Sequence, residues 1–433
     1  MSRCLRAGAL CSAALAVPAA AFAQGAAPAL NPADTAWVLS ATALVLFMTL
    51  PGLALFYAGL VQVKNSLSVM MHCVAIACMA SVLWLAFGYT LAFDADAFGG
   101  LIGGFNRTFL VGVDRATLKG SLPEVAFFMF QGVFAVITPA LIVGAYVERI
   151  KFGAVMLFSA LWLLLVYAPV CHWVWGGGWL AGLGVMDYAG GLVVHATAGI
   201  SSLIIAKAVG PRFGFPQELR PPHNPGMTMI GAGMLWVGWY GFNGGSALAA
   251  NGDAAMALTV THLSASMAGL VWALLEWKRF GRPSMIGMVT GVVAGLATIT
   301  PASGFVGPIG GIILGVCASL VCFFAVDFVK HKAKIDDSLD VFAVHGVGGI
   351  LGTLLVAVLA HPAIGGVGYA VTGSLIAQAG VQIGGVVATL AWSAIATIVI
   401  LAIARRLTGL RAKDEEINDG LDLTYHGERA YNP

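Results

Sequence analysis

The chain has 433 residues, of which 59% are hydrophobic and only 10% charged, and its net charge is +2. Soluble domains carry roughly a quarter charged residues, so these proportions exclude a surface built to face water. The small net charge, with no basic patch interleaved with aromatic residues, gives no footing to nucleic acid.

In chain order, residues 1–23 read as a secretory signal peptide. Arg3 and Arg6 precede an apolar stretch from Ala7 to Val17, and Ala21-Phe22-Ala23 supplies an A-x-A cleavage site before Gln24. An uncleaved first helix is the alternative, but the apolar core is short for a span. A hydrocarbon core needs about 20 apolar residues per helix. Eleven segments meet that length, near 36–60, 67–93, 123–146, 153–171, 190–209, 227–249, 255–277, 284–301, 305–329, 342–360 and 377–404. The expected fold class is therefore all-α, a polytopic membrane protein with a transmembrane domain over 24–404. A polar tail follows over 405–433.

The charges test that count. Seventeen Lys and Arg lie in 61–66, 147–152, 207–226, 278–283, 330–341 and 405–433, against Arg107, Arg115 and Lys119 in the alternate segments. A positive-inside bias of this size puts the amino end outside and the carboxyl end in the cytoplasm. One span miscounted would scramble the pattern downstream. The tail has few apolar residues, and its composition alone allows disorder.

An internal repeat runs through the span pattern. Asp187 to Ile200 and Asp337 to Ile350 both read D-x7-H-x3-G-I, one in the fifth span and one in the tenth. Five spans separate them, and an odd number means that two five-helix halves enter the membrane from opposite sides. Inverted repeats put a substrate path at the interface of the halves, near the midplane.

His195 and His345 are the foremost candidates for chemistry. A single membrane histidine is often only a hydrogen-bonding partner for a neighbouring helix. Two at matching places in inverted repeats would be drawn together by a pseudo-two-fold axis, and ionisable groups at membrane depth mark ion or proton routes. A neutral imidazole both donates and accepts hydrogen bonds, which suits a small polar molecule or a proton. Aromatic residues gather near the outer ends of the spans: Phe134, Trp173, Trp175, Trp179 and the run Trp239-Tyr240-Gly241-Phe242 that leads to Ser246. Ring faces attract a cation and the Ser246 hydroxyl can accept a hydrogen bond, so these groups can hold a small cation as it sheds water. An interfacial aromatic belt fits the same residues, and spacing does not choose between the two. Asp187 lies just before the fifth helix, where a carboxylate caps free N–H groups. Asp337 and Asp340 fall in a charged inner segment, where they are expected to be solvated or paired with Lys332 and Lys334.

Other chemistry is absent from the pattern. Seven cysteines show no metal-ligand spacing with histidine and no disulfide framework, so they are expected to act as small buried hydrophobes. No Walker-type loop and no nucleophile elbow occur. The expectation is a protein that is not an enzyme and needs no cofactor and no metal.

These residues resemble the ammonium transporter family, which includes methylammonium permeases and Rhesus proteins. The resemblance runs from Phe56-Tyr57-Ala58-Gly59-Leu60 to the last residues. It is most specific at Asp187-Tyr-Ala-Gly-Gly-Leu-Val-Val-His195, with further matches at Trp175-Gly-Gly-Gly178, Gly241-Phe242-Asn243 with Ser246, and Asp340-Val-Phe-Ala-Val-His345-Gly346. It implies a homotrimer in the bilayer of a bacterial inner membrane, with one pore per subunit. It also implies an outer substrate site at Phe134, Trp175 and Ser246, a gate of Phe134 and Phe242, a pore lined by His195 and His345, and Asp187 supporting the outer site. Gly409-Leu410-Arg411, Gly420-Leu421-Asp422 and His426-Gly427-Glu428 with Tyr431 resemble the family's cytoplasmic tail, which implies a PII signalling protein as partner. The implied function is binding of ammonium at the outer site, deprotonation, and passage of ammonia with the proton carried separately. An ammonium sensor acting through its tail, or a gas or water channel, is the alternative.

Overall fold

A computed structural model describes residues 29–218, 220–371 and 374–431. The expected signal peptide over 1–23 lies outside the described residues. Among the described residues, ten helices are long and apolar enough to cross a membrane. They are α1 (Pro32–Leu60), α2 (Val63–Phe93), α3 (Glu124–Tyr146), α4 (Phe152–Gly182), α5 (Gly191–Val209), α7 (Gly252–Phe280), α8 (Met285–Ala302), α9 (Pro308–Lys332), α10 (Phe342–Leu359) and α11 (Leu375–Leu407). Strand is confined to two short hairpins, Asp96–Ala97 with Ile102–Gly103 and Leu118–Lys119 with Leu122–Pro123. Both hairpins lie between α2 and α3, and the side that carries them is termed outer, after the charge bias.

Where the sixth span is expected, the structure has α6, a helix over Pro225–Trp239 continued by a wider turn over Tyr240–Gly244. It is not among the ten, because its glycines, tryptophans and tyrosine dilute the apolar character that the other spans share. Its helix ends before 249, so Ser246 sits in the turn that follows.

Polar caps set several helix starts. Asn31 accepts from the N–H groups of Ala33 and Asp34 ahead of α1, and Asn224 accepts from Met227 N–H ahead of α6. Both are followed by proline, whose fixed φ suits the first helical position. Asn251, Ser284 and Ser374 cap α7, α8 and α11 in the same way.

Three helices carry a π turn where candidate residues lie: Gly191–Ala196 in α5, Tyr240–Gly244 in α6 and Phe342–Gly346 in α10. Such wide turns are rare and concentrate at functional sites. The motif glycines explain how α5 and α10 meet there. A methyl group on Gly199 would run into the backbone of Gly346, and one on Gly349 would stand 2.6 Å from Cβ of His195. Glycine at the same place in each repeat lets the two backbones approach closely.

Three expectations are corrected, for the tail, for Asp337 and Asp340, and for two of the cysteines. The tail is docked rather than loose. Lys151 N–H donates to Leu410 and Ala412 N–H to Arg149, a short helix spans Asp414–Asp419, and Lys64 Nζ donates to the carbonyls of Ile417 and Asn418. The Asp422 carboxylate accepts from the N–H groups of Leu67 and Ser68, so it caps the start of α2. Composition undervalued these contacts because each has a backbone group on at least one side, which no side-chain scale registers. The second correction concerns Asp337, which is fully buried rather than solvated, and Asp340, which pairs with Lys330 at 2.7 Å instead of Lys332 or Lys334. Of the cysteines, Cys73, Cys171 and Cys322 are buried, but Cys78 is exposed and Cys317 is half-buried.

Candidate functional site

The site is built from the starts of α5 and α10 and from the aromatic faces of α3, α4 and α6. The Asp187 carboxylate accepts from the N–H groups of Gly190 at 2.9 Å, Gly191 at 2.6 Å, Leu192 at 2.8 Å and Val193 at 3.2 Å. It therefore caps α5 with both oxygens and holds the turn that presents His195. Burial pushes its carboxyl above the usual range, and those four N–H groups oppose the shift. Its own carbonyl accepts from Trp175 Nε1 at 2.8 Å, so the cap and the ring at the end of α4 are tied together.

An outer cavity of about 300 Å³ is lined by Phe134, Trp175, Tyr188, Ser246 and Gln131 among others. Phe134, Trp175 and Ser246 thus share one chamber. Trp175 meets Phe134 edge to face, with centroids 5.9 Å apart. Ser246 Oγ donates to the Phe242 carbonyl at 2.8 Å, which leaves its lone pairs free to accept from a cation. Below the chamber, Phe134 and Phe242 lie 4.3 Å apart at 38°, both buried. Rings this close leave no open passage, so anything crossing needs them to move.

Past Phe242 lies a constriction of about 10 Å³, lined by His195, His345, Trp239, Ile137, Leu141 and Val293 among others. That is room for about one water-sized molecule. His195 stacks on His345 with centroids 5.2 Å apart at 19°, and Trp239 also stacks on it at 5.6 Å and 20°. Both ring nitrogens of His195 and Nδ1 of His345 are without a protein hydrogen-bond partner among the described residues. Buried polar atoms are seldom left so, and a passing polar molecule could meet them. His345 also lines an inner cavity of about 310 Å³, together with Phe56, Tyr57, Arg212, Lys330 and Asp340. The Phe134–Phe242 contact and the shared lining residue His345 thus order the cavities: outer chamber, phenylalanine pair, histidine pair, inner chamber.

Sequence reasoning left Tyr188 and Gln131 without a role, and it placed Trp239 with the cation-holding aromatics rather than beside His195. Trp239 is fixed by Nε1 donating to Thr300 Oγ1 at 2.9 Å and forms one wall for His195. Its place one residue before the α6 π turn was the available signal. Tyr188 follows Asp187 directly and could have been read from that adjacency. Gln131 gave no signal, since its place in the chamber depends on how α3 packs. No cluster of His, Cys, Asp and Glu fit to hold a metal occurs among the described residues.

Helices of this length and apolarity, with two chambers joined through a buried histidine pair, define a polytopic α-helical membrane protein. Residues 36–431 match the model of the Ammonium Transporter Family. The chain is 44% identical to the ammonium transporter Amt1 of Archaeoglobus fulgidus over 92% of its length and 99% of that relative. Among solved structures it superposes on the Sensor Amt Protein with a TM-score of 0.85 and 30% identity, over 91% of this chain and 98% of that one. On Mep2 of Candida albicans the TM-score is 0.82 and the identity 36%, over 89% and 88%. The chain belongs to the ammonium transporter family.

Proposed function

We propose that the protein takes up ammonium at the outer chamber and conducts it to the inner one as ammonia, with the proton carried separately. The order of the cavities supports this reading: an aromatic chamber, a closed phenylalanine pair, and a histidine-lined constriction with room for about one small molecule. Ammonium is held against Trp175 and Phe134 by ring faces, with Ser246 Oγ as acceptor, while Asp187 braces the chamber through the Trp175 indole. Moving a dehydrated cation into an apolar pore is costly, whereas neutral ammonia crosses it readily. Deprotonation therefore falls near the outer chamber or at His195. The His195–His345 pair hands ammonia along by hydrogen bonds and relays the proton. Sodium and potassium fail because they have no proton to lose.

On this reading the protein is a homotrimer in a bacterial inner membrane, with eleven spans, amino end outside and the docked tail facing a cytoplasmic PII protein. The test is charge movement in proteoliposomes after an ammonium jump, with sodium and potassium jumps as controls. Current with ammonium alone is expected, and equal responses to all three ions would overturn the reading. A sensor is the second reading, favoured by the tail's contacts with α2. Flux absent both from the intact chain and from one ending at 404 would decide for it.

A further inference from the structure

The two repeats treat their leading aspartates unequally. Asp187 spends both carboxylate oxygens on four N–H groups. Its counterpart Asp337 accepts from Phe342 N–H to Oδ2 at 2.7 Å, with a weaker contribution from Val341 N–H, and among the described residues Oδ1 has no hydrogen-bond partner although the residue is fully buried. The preceding residue differs again, since Asp336 is paired with Arg212 at 2.9 Å and lies near Arg149. Capping needs only a polar oxygen, which asparagine supplies as well. An ionised carboxylate with an empty buried oxygen is costly, so a cap alone does not account for Asp337.

The surroundings suit a proton. The chain turns tightly after Asp337, with Asp340 N–H donating to the Asp337 carbonyl and Asp340 in a left-handed conformation at φ 61°. Asp340 lines the inner chamber that His345 also lines, and Lys330 Nζ sits on it at 2.7 Å. The groups facing Asp337 are Asp340, Lys330 and the Tyr57 phenol. The Asp340 charge disfavours a second negative charge at Asp337 and so favours a proton there.

We propose that Asp337 is the inner proton acceptor of the transport cycle, taking the proton that leaves the His195–His345 pair and releasing it to the inner side. The inference rests on the conduction reading above. In the step an N–H bond breaks at His345, water in the inner chamber carries the proton past Asp340, and an O–H bond forms at Asp337 Oδ1. Release reverses that last bond and frees the carboxylate for the next proton. Burial, with the Asp340 charge second, pushes the Asp337 carboxyl up to about 7, against the Phe342 N–H, Lys330 and the Val341 N–H. The carboxylate therefore stands empty above neutrality and filled below it.

Asp337→Asn keeps the cap on α10 and removes the titration. At equal pH on both sides, wild-type ammonium current should rise as pH climbs through about 7. The variant should lose that rise and roughly tenfold or more of the current, while alkalinisation driven by an ammonia gradient persists. A variant with wild-type current and pH profile overturns the proposal. Infrared titration of the purified wild type decides without any current: a buried carboxylic-acid band should vanish around neutral pH, and its absence also overturns it. Wild type that shows the band but no ammonium current would sink the conduction reading instead.

Discussion

Gly199 of one repeat packs directly against Gly346 of the other, and a methyl group at Gly199 would collide with that backbone. Gly346 follows His345, and Gly199 lies one turn beyond His195. The contact therefore sets how near the two imidazoles come, and their 5.2 Å stacking depends on it.

Gly199→Ala should force α5 and α10 apart. Overpacking of this kind costs on the order of 1–3 kcal/mol, and thermal unfolding in detergent should show it as a lower Tm. Ammonium flux should fall as well. A variant as stable and as active as wild type would show that the helices shift without consequence.

Replacing both His195 and His345 by leucine removes the donors and acceptors of the constriction and leaves its shape apolar. Ammonium-evoked current should vanish. Current that persists unchanged in the double variant would mean that the proton takes another route.

Trp175→Leu takes away a ring face from the outer chamber. A cation–π contact of about 1–2 kcal/mol corresponds to roughly a 5- to 30-fold change in affinity. The half-saturating ammonium concentration should rise by that factor, with less change in maximal flux.

Asp187→Ala leaves four buried N–H groups without their acceptor, at a cost on the order of 1–2 kcal/mol or more. Asp187→Asn retains part of the cap. Thermal unfolding should rank wild type above Asn and Asn above Ala. Equal Tm values would assign the carboxylate no structural role.

The tail should undock on Asp422→Ala, which removes the acceptor for Leu67 and Ser68 N–H. Limited proteolysis should cut the variant between 405 and 431 faster than wild type. Acid should have a milder effect of the same kind. The His426 ring packs edge-on to Phe152 at 5.3 Å, and burial lowers its pKa despite the Asp422 and Glu428 charges. A freed ring takes up its proton from about 6.5 downward while the docked one resists. His426's contribution to docking is therefore complete above that value and lost as pH falls below it. Cleavage that does not change with pH would show that His426 is too exposed to matter.

The sequence by itself determined the membrane class, because the hydrocarbon core dictates span length and hydropathy reports it directly. It determined the matched places of His195 and His345, since a repeat is a property of spacing. It also carried the family, through motifs at Asp187–His195 and Trp175–Gly178. Tertiary structure decided the rest. That Phe134, Trp175 and Ser246 line one chamber follows from the packing of α3, α4 and the turn after α6, which no local pattern encodes. Trp239 acquired its place as a wall for His195 in the same way. The unequal environments of Asp187 and Asp337 are the sharpest case. Their motifs share the spacing of Asp, His and Gly-Ile, yet one carboxylate meets four backbone N–H groups and the other keeps an oxygen without a partner among the described residues. Hydrogen-bond satisfaction depends on where backbone groups point in space, and spacing along the chain does not record that.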